Sequence, residues 1–270
     1  MTKWLFRLFP FLLLNWAVRY FPILRLLKGR VPSGELLLDV GSGSFGLASF
    51  YRNRFAGCDL EFPHPPRQPM LPVRCSATNL PFSDASFPAV VISDVLEHLP
   101  PEHRLGIVHE TLRVARNLAV FGFPCGSSAY ESDRNFHEYL EARGICAHGW
   151  LEEHLRYPFP EFKLFEALDS EWSVESFGND NVAFHEWVNR NELSRIVKGL
   201  FWVLLTIAPH AVARMLRLCD RPPVLPIDCC GHQEIQCCCR GSSLNPKSKW
   251  NPSQDGNCSH ILPTGLRLVE

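Results

Sequence analysis

The apolar and polar positions change rhythm several times along the chain. Residues 4–27 are rich in Leu, Phe and Trp, with Arg7, Arg19 and Arg25 set among them. The longest uncharged run there, Leu8 to Val18, has eleven residues, whereas a bilayer span needs about 20. One or two short amphipathic helices are expected instead, broken near Pro10 and Pro22. From Leu36 the texture changes: LLLDV, the turn GSGSFG, a helical-looking LASFYRNR and then AGCDL read as strand, turn, helix, strand. A loop carrying Pro63, Pro65, Pro66, Pro69 and Pro72 leads to a short strand PVRC, the run PAVVISD, a helix over about 101–116 and the strand NLAVFGF. Within that helix Leu105, Val108, Leu112 and Ala115 fall at helical spacing and face a core. Apolar runs alternating with helices predict a mostly parallel sheet covered on both faces.

Residues 124–162 are turn-rich and aromatic, with a helix expected near Trp150 to Arg156; an insertion of this length is where such folds build substrate pockets. Glu171 to Phe177 and Val182 to Val188 flank GNDN and read as a closing hairpin. Leu200 to Ala208 is apolar again, and beyond Cys219 the periodicity stops. The organisation expected is therefore an amphipathic cap or membrane-interfacial segment over 1–34, an α/β domain over 35–218, and a Cys-rich, disordered tail over 219–270.

Composition narrows the class. At 270 residues, 46% hydrophobic and 20% charged, the chain has the makeup of a globular protein folded in water. The net charge is only -1, yet Lys3, Arg7, Arg19, Arg25, Lys28 and Arg30 precede the first acid, Glu35. No broad basic face extends beyond that arm, which argues against nucleic acid as a partner. Of the 11 cysteines only Cys58, Cys75, Cys125 and Cys146 lie before residue 219, a scatter expected of reduced thiols in the cytoplasm. Cys229, Cys230, His232, Cys237, Cys238 and Cys239 follow no zinc-ligand spacing, so no metal is assigned to them.

The candidate chemistry lies in the glycine turn. Gly41, Gly43 and Gly46 match G-x-G-x-x-G between a strand and a helix, and Asp59 ends the second strand. Such a loop lets backbone approach a ligand, and the acid can accept both ribose hydroxyls of an adenosine-bearing cofactor. Spacing alone leaves NAD and S-adenosyl-L-methionine open, the first implying an oxidoreductase. LLLDVGSGSFG, then CDL, then SATNLPFSDASFPAVVISDVLEHL resembles the class I S-adenosylmethionine-dependent methyltransferases, the type 11-like group, over about Leu36 to Pro124. The resemblance implies a Rossmann-like α/β fold with a seven-stranded, mostly parallel sheet, an N-terminal helical cap and an insertion after the fifth strand. It also implies cofactor contacts from Asp39, Gly41, Ser42, Gly43, Gly46, Asp59, Leu60, Ser76, Ala77, Thr78 and Asp94. Asp39 would lie near the cofactor's amino-acid end, Asp59 on its ribose, and Leu60 against its adenine. Two departures stand out: Ser76 replaces the usual acid before the alanine, and Pro88 an aspartate before the fourth strand. They are the only hints of a third reading, a non-catalytic cofactor-binding scaffold.

Methyl transfer from a sulfonium is an in-line displacement with an activated leaving group, so alignment and exclusion of water dominate. A hydroxyl or amine acceptor also benefits from a base, for which His98 after the fourth strand and His137 after the fifth are the candidates, with His148, His154 and His185 behind them. For Leu80 and Phe82 core packing has at least as strong a claim as ligand contact. The acceptor is expected to be a small molecule, a glycan or a lipid-linked compound. The basic, aromatic N-terminal arm would serve as a lid over the pocket or as a peripheral contact with an anionic membrane.

Overall fold

The computed structural model describes residues 13–219, apart from 167, 169, 170 and 180, together with 233–240. In chain order the elements are α1 (Leu13–Leu27), β1 (Leu38–Val40), β2 (Phe55–Asp59), β3 (Met70–Arg74), β4 (Phe87–Ser93), α2 (Pro101–Val114) and β5 (Ala115–Pro124). They continue with α3 (Gly126–Glu141), α4 (Gly149–His154), β6 (Trp172–Asn179), α5 (Val182–Asn191), α6 (Arg195–Ile207), α7 (Pro209–Cys219) and β7 (Gln233–Arg240). The sheet order is β3-β2-β1-β4-β5-β7-β6. β1 to β5 pair in parallel, and β7 runs antiparallel to both β5 and β6. This is the expected α/β architecture with a mostly parallel sheet.

The central strands are buried on both faces, so they read as unbroken apolar runs while their side chains alternate in destination. Ala89, Val91, Leu118 and Val120 join one core with α1, α6 and α7, through Leu14, Ile23, Phe201, Leu205 and Leu216. Val90, Ile92, Ala119 and Phe121 join the other core with Ile107, Val108 and Leu112 of α2. Pro88 has no amide to give the ladder, and the β4–β5 register shifts between Phe87 and Ala89.

Four expectations are corrected. The 219–270 segment is not a uniform tail: β7 sits inside the sheet, with Cys238 opposite Ala119 on one side and Val174 on the other. Cys238 is wholly buried, behaving as a small apolar residue, and Cys237 and Cys239 lie on the same strand. Cys229, Cys230 and His232 fall outside the described residues. The expected hairpin is instead β6 followed by α5, because Asn181 caps a helix, its side chain accepting from the Ala183 amide at 2.9 Å. LASFYRNR makes only a single 3₁₀ turn, Gly46–Ser49. Lastly, α1 passes through Pro22 without a break. Proline removes the amide that would reach the Val18 carbonyl, and Asn179 Nδ2 donates to that carbonyl instead at 3.2 Å.

α1 is a built-in wall. Leu14, Ala17, Val18, Tyr20, Phe21, Ile23, Leu24 and Leu27 are all buried. Of the basic arm, Lys3 and Arg7 lie outside the described residues.

Candidate cofactor and acceptor site at the carboxyl edge

The glycine loop leaves β1 at its carboxyl end and is held from beneath. Asp39, 1% exposed, accepts from the Leu47 amide through Oδ2 at 2.9 Å. Burial, with Asp59 nearby, raises its pKa to about 7. Gly41 has φ +72, and a Cβ there would lie 2.2 Å from Val95 Cγ2, so only glycine fits between the loop and the residue after Asp94. Gly43 has φ +51 with nothing within 4 Å of a built Cβ: the loop is open to a ligand there. Its amide donates to Asp59 Oδ2 at 2.7 Å, while Leu60 donates to Oδ1 at 2.7 Å. The amides of Gly41 and Ser42 donate to the Cys58 carbonyl at 2.8 and 3.1 Å. Three successive loop amides are thus turned to protein acceptors. Ser44 ties the proline-rich loop to this turn, its hydroxyl donating to the His64 carbonyl at 2.8 Å.

Beyond Asp59, Leu60 is 65% exposed at the rim of the loop. Ser76 and Thr78 join hydroxyls at 2.8 Å, and the Thr78 amide also donates to Ser76 Oγ at 3.2 Å. Ala77 sits between them, half-buried against the core. Leu80 is buried, and Phe82 meets Phe87 edge to face at 4.9 Å, so both are packing residues. Arg113 of α2 donates to the Leu80 and Phe82 carbonyls and pairs with Glu110 and Asp84, pinning this loop from below.

Asp94, just past β4, has φ +55, a left-handed conformation that Asp tolerates better than most residues. Its carboxylate pairs with Arg19 of α1 at 3.2 Å and accepts from Ser93 at 3.0 Å, which brings the N-terminal helix onto the edge. In the 3₁₀ turn Leu96–His98, Glu97 is wholly buried, and neither carboxyl oxygen finds a hydrogen-bond partner among the described residues. Burial beside Asp94 pushes its pKa well up. His98 Nδ1 lies 2.9 Å from Glu153 Oε2, and burial lowers the imidazole's pKa. His154 of α4 is buried with Nδ1 2.7 Å from Asp133 Oδ2 and its ring 4.7 Å from that of His98. His185 Nε2 accepts from Asn189 at 2.8 Å and stands 4.0 Å from Asp133.

The structure therefore gathers Asp39, Gly41, Ser42, Gly43, Gly46 and Asp59 in one cradle, with Leu60 at its rim and Asp94 on the next strand. Ser76, Ala77 and Thr78 form the loop after β3. His98 joins a second cluster, whereas His137 engages Glu141 one turn along α3 at 3.6 Å. His148 stacks on Trp150 at 6.1 Å. The sequence reading passed over Arg19, Glu97 and Asp133 and ranked His154 behind His98. Asp133 had a signal: it lies on the buried face of α3 with Ala129, Phe136 and Leu140, where an acid is out of place unless paired.

Residues 38–122 match the family model described as a methyltransferase domain. Two curated relatives, each named an uncharacterized methyltransferase, come from Mycobacterium sp. strain KMS, 39% identical over 103 residues, and strain JLS, 38% identical over 103 residues. Each match takes in 34% of this chain and 40% of the relative. Among solved structures, the magnesium protoporphyrin IX methyltransferase of Synechocystis PCC 6803 with bound SAH overlaps 84% of this chain and 82% of its own, at 12% identity and a TM-score of 0.41.

Proposed function

We propose, from the match of residues 38–122 to a methyltransferase-domain model, that this chain moves the sulfonium methyl of S-adenosyl-L-methionine to a small-molecule, glycan or lipid-linked acceptor. The observation that carries the choice of cofactor is the glycine loop itself. The amides of Gly41, Ser42 and Gly43 donate to Cys58 and Asp59, and a pyrophosphate would need such amides for itself. Around them stand the carboxyl groups of Asp59 and Asp94, the latter paired with Arg19, with that of Asp39 buried behind the loop, a setting that suits a ligand carrying an ammonium and a sulfonium better than a pyrophosphate.

S-adenosyl-L-methionine brings an already activated methyl group, which leaves alignment and exclusion of water to the protein. Asp59 accepts from the ribose hydroxyls on the lone pairs its two amide donors leave free, and the exposed face of Leu60 covers the adenine. Ser76, a neutral acceptor in place of an acid, supports the base more weakly. Asp39 and Asp94 set the negative field at the amino-acid end. The acceptor side is bounded by His98, His154 and their carboxylates. Calorimetric titration with S-adenosylhomocysteine and with NAD separates the readings: binding of the first alone is expected, and binding of NAD alone overturns the proposal. Gly43→Val meets open space but a strained backbone at φ +51, so it should melt below the parent while still unfolding cooperatively, and lose S-adenosylhomocysteine binding. Undiminished binding would displace the cofactor from this loop.

The acceptor in this reading is hydrophobic or lipid-linked, and the support is α6. Ile196, Leu200, Val203, Leu204 and Ile207 are exposed at helical spacing, while Phe201 and Leu205 face the core. A helix with apolar residues on its exposed as well as its buried face, with Arg195 and Lys198 as its charges and no acid in it or in α7, suits contact with an anionic lipid surface. No single helix among the described residues is long and apolar enough to cross a membrane. Co-sedimentation with anionic vesicles at low salt, reversed by high salt, is expected; a protein that stays in the supernatant points to a water-soluble acceptor.

A further inference from the structure

The buried cluster beside the cofactor cradle contains an acid that the methyl-transfer reading does not use. Glu97 is 0% exposed and both its oxygens lack hydrogen-bond partners among the described residues. A buried polar group without a partner forfeits its hydration with nothing in return, and a charged one forfeits more. Something is expected to satisfy it. One ligand atom from each of Glu97, His98 and His154 lies within 4.8 Å of the other two.

The two imidazoles are set for coordination. An ionised carboxylate can only accept, so Asp133 at 2.7 Å fixes the proton of His154 on Nδ1, and Glu153 at 2.9 Å does the same for His98. Each ring is left with an Nε2 lone pair, oriented by a carboxylate on its far nitrogen, the arrangement that metal-bound histidines use. His154 Nε2 stands 3.7 Å from Glu97 Oε1, too far for a hydrogen bond. Two ligands of one ion at ~2.1 Å bonds are about 3.0–3.5 Å apart, so a small closure suffices. Around the site the four carboxyl groups of Asp94, Glu97, Asp133 and Glu153 outnumber the guanidinium groups of Arg19, paired with Asp94, and of Arg104, which also interacts with Glu97, and a dication complements that acidic excess.

We propose that Glu97, His98 and His154 bind one divalent first-row transition-metal ion, with Asp133 and Glu153 as positioning residues for the two imidazoles. Two nitrogens and a carboxylate on one side of an ion leave positions open for an oxygen ligand. Resting on the methyl-transfer reading, that oxygen would be an acceptor hydroxyl's: coordination lowers its pKa so that its proton passes to solvent water, and the oxygen forms the new O–CH3 bond as the S–CH3 bond breaks and S-adenosylhomocysteine leaves.

The test uses the full chain, stripped by a chelator, dialysed and titrated with Mn2+ by electron paramagnetic resonance. Mn2+ is a hard ion that thiolates hold poorly, so the Cys-rich segment does not compete. One bound Mn2+ per chain is expected. Glu97→Gln and His154→Gln should weaken binding at least tenfold, and Asp133→Asn by about 10–100-fold. His109→Gln, on the exposed surface of α2, should leave it unchanged. Mn2+ should also raise the melting temperature of the parent and not that of Glu97→Gln, which shows in the same experiment that the variant folds. No depletion of free Mn2+ by the parent, or equal depletion by Glu97→Gln, overturns the site. The titration contains no cofactor, so its failure leaves S-adenosylhomocysteine binding standing, and loss of the latter leaves the metal site standing.

Discussion

Asp39 supports the loop at a cost that depends on pH. Its folded pKa of about 7, against an ordinary 3.8, means that the unfolded chain gives up this proton at lower pH than the folded one. Stability therefore falls as pH rises through roughly 4 to 7 and is level above that, by about 4 kcal/mol at most from this group. Glu97, also pushed up by burial, adds in the same direction. Asp39→Asn keeps an oxygen for the Leu47 amide and removes the ionisation. Its unfolding free energy in urea should exceed the parent's by up to about 4 kcal/mol at pH 8, by less than half of that at pH 5, and by little at pH 4. S-adenosylhomocysteine should bind it more weakly, since the negative field is gone. Equal pH slopes for parent and variant would show that Asp39 titrates normally in the fold.

Among the elements, β7 and α6 make opposite predictions. β7 is bonded on both edges, to β5 and β6, so its middle residue has an amide the sheet needs. Cys238→Pro removes that amide and the buried thiol together and should lower stability by about 3 kcal/mol or more. Thermal unfolding by circular dichroism reads this, and an unchanged transition would mean that β7 contributes little to the folded sheet. α6 presents its apolar stripe outward, with Ile196 84% and Leu200 53% exposed. Ile196→Glu with Leu200→Glu should leave the melting temperature within a few degrees, since exposed positions carry little folding energy. The same pair should abolish co-sedimentation with anionic vesicles. Vesicle binding that survives both substitutions assigns the contact to another surface.

For the molecule as a whole, the N-terminal helix decides whether the domain exists without its cap. α1 places eight apolar side chains in the core, each contributing on the order of 1.5–3 kcal/mol when fully buried, apart from the small alanine. Their sum is comparable to the entire net stability of a domain, about 5–15 kcal/mol. A chain lacking residues 1–27 should therefore lose cooperative unfolding and bind hydrophobic dye. A sharp transition near the parent's temperature would make α1 a detachable lid. The Arg19–Asp94 pair at 3.2 Å adds that the helix is also part of the site wall, so the cap and the cradle are expected to fail together.

The local signals in this chain were strong where one residue type has a single physical use. Gly41, Gly43 and Gly46 with Asp39 and Asp59 announced the loop, because positive φ and close backbone approach admit little else. The apolar runs around Val40, Ile92 and Phe121 likewise announced parallel strands buried on both faces. Tertiary contacts decided the rest. β7 has an unremarkable local sequence, and its strand is stabilised by two neighbours that lie far away along the chain. Asn181 had the same propensity for a turn as for a helix cap, and packing of α5 chose the cap. Pro22 should break a helix, yet Asn179 from β6 satisfies the carbonyl it orphans. The pairing of Asp133 with His154, and of both with Glu97, joins α3, α4 and the turn after β4. Only the fold brings those segments together, because a hydrogen bond in a buried cluster depends on distance in space and leaves no period in the sequence.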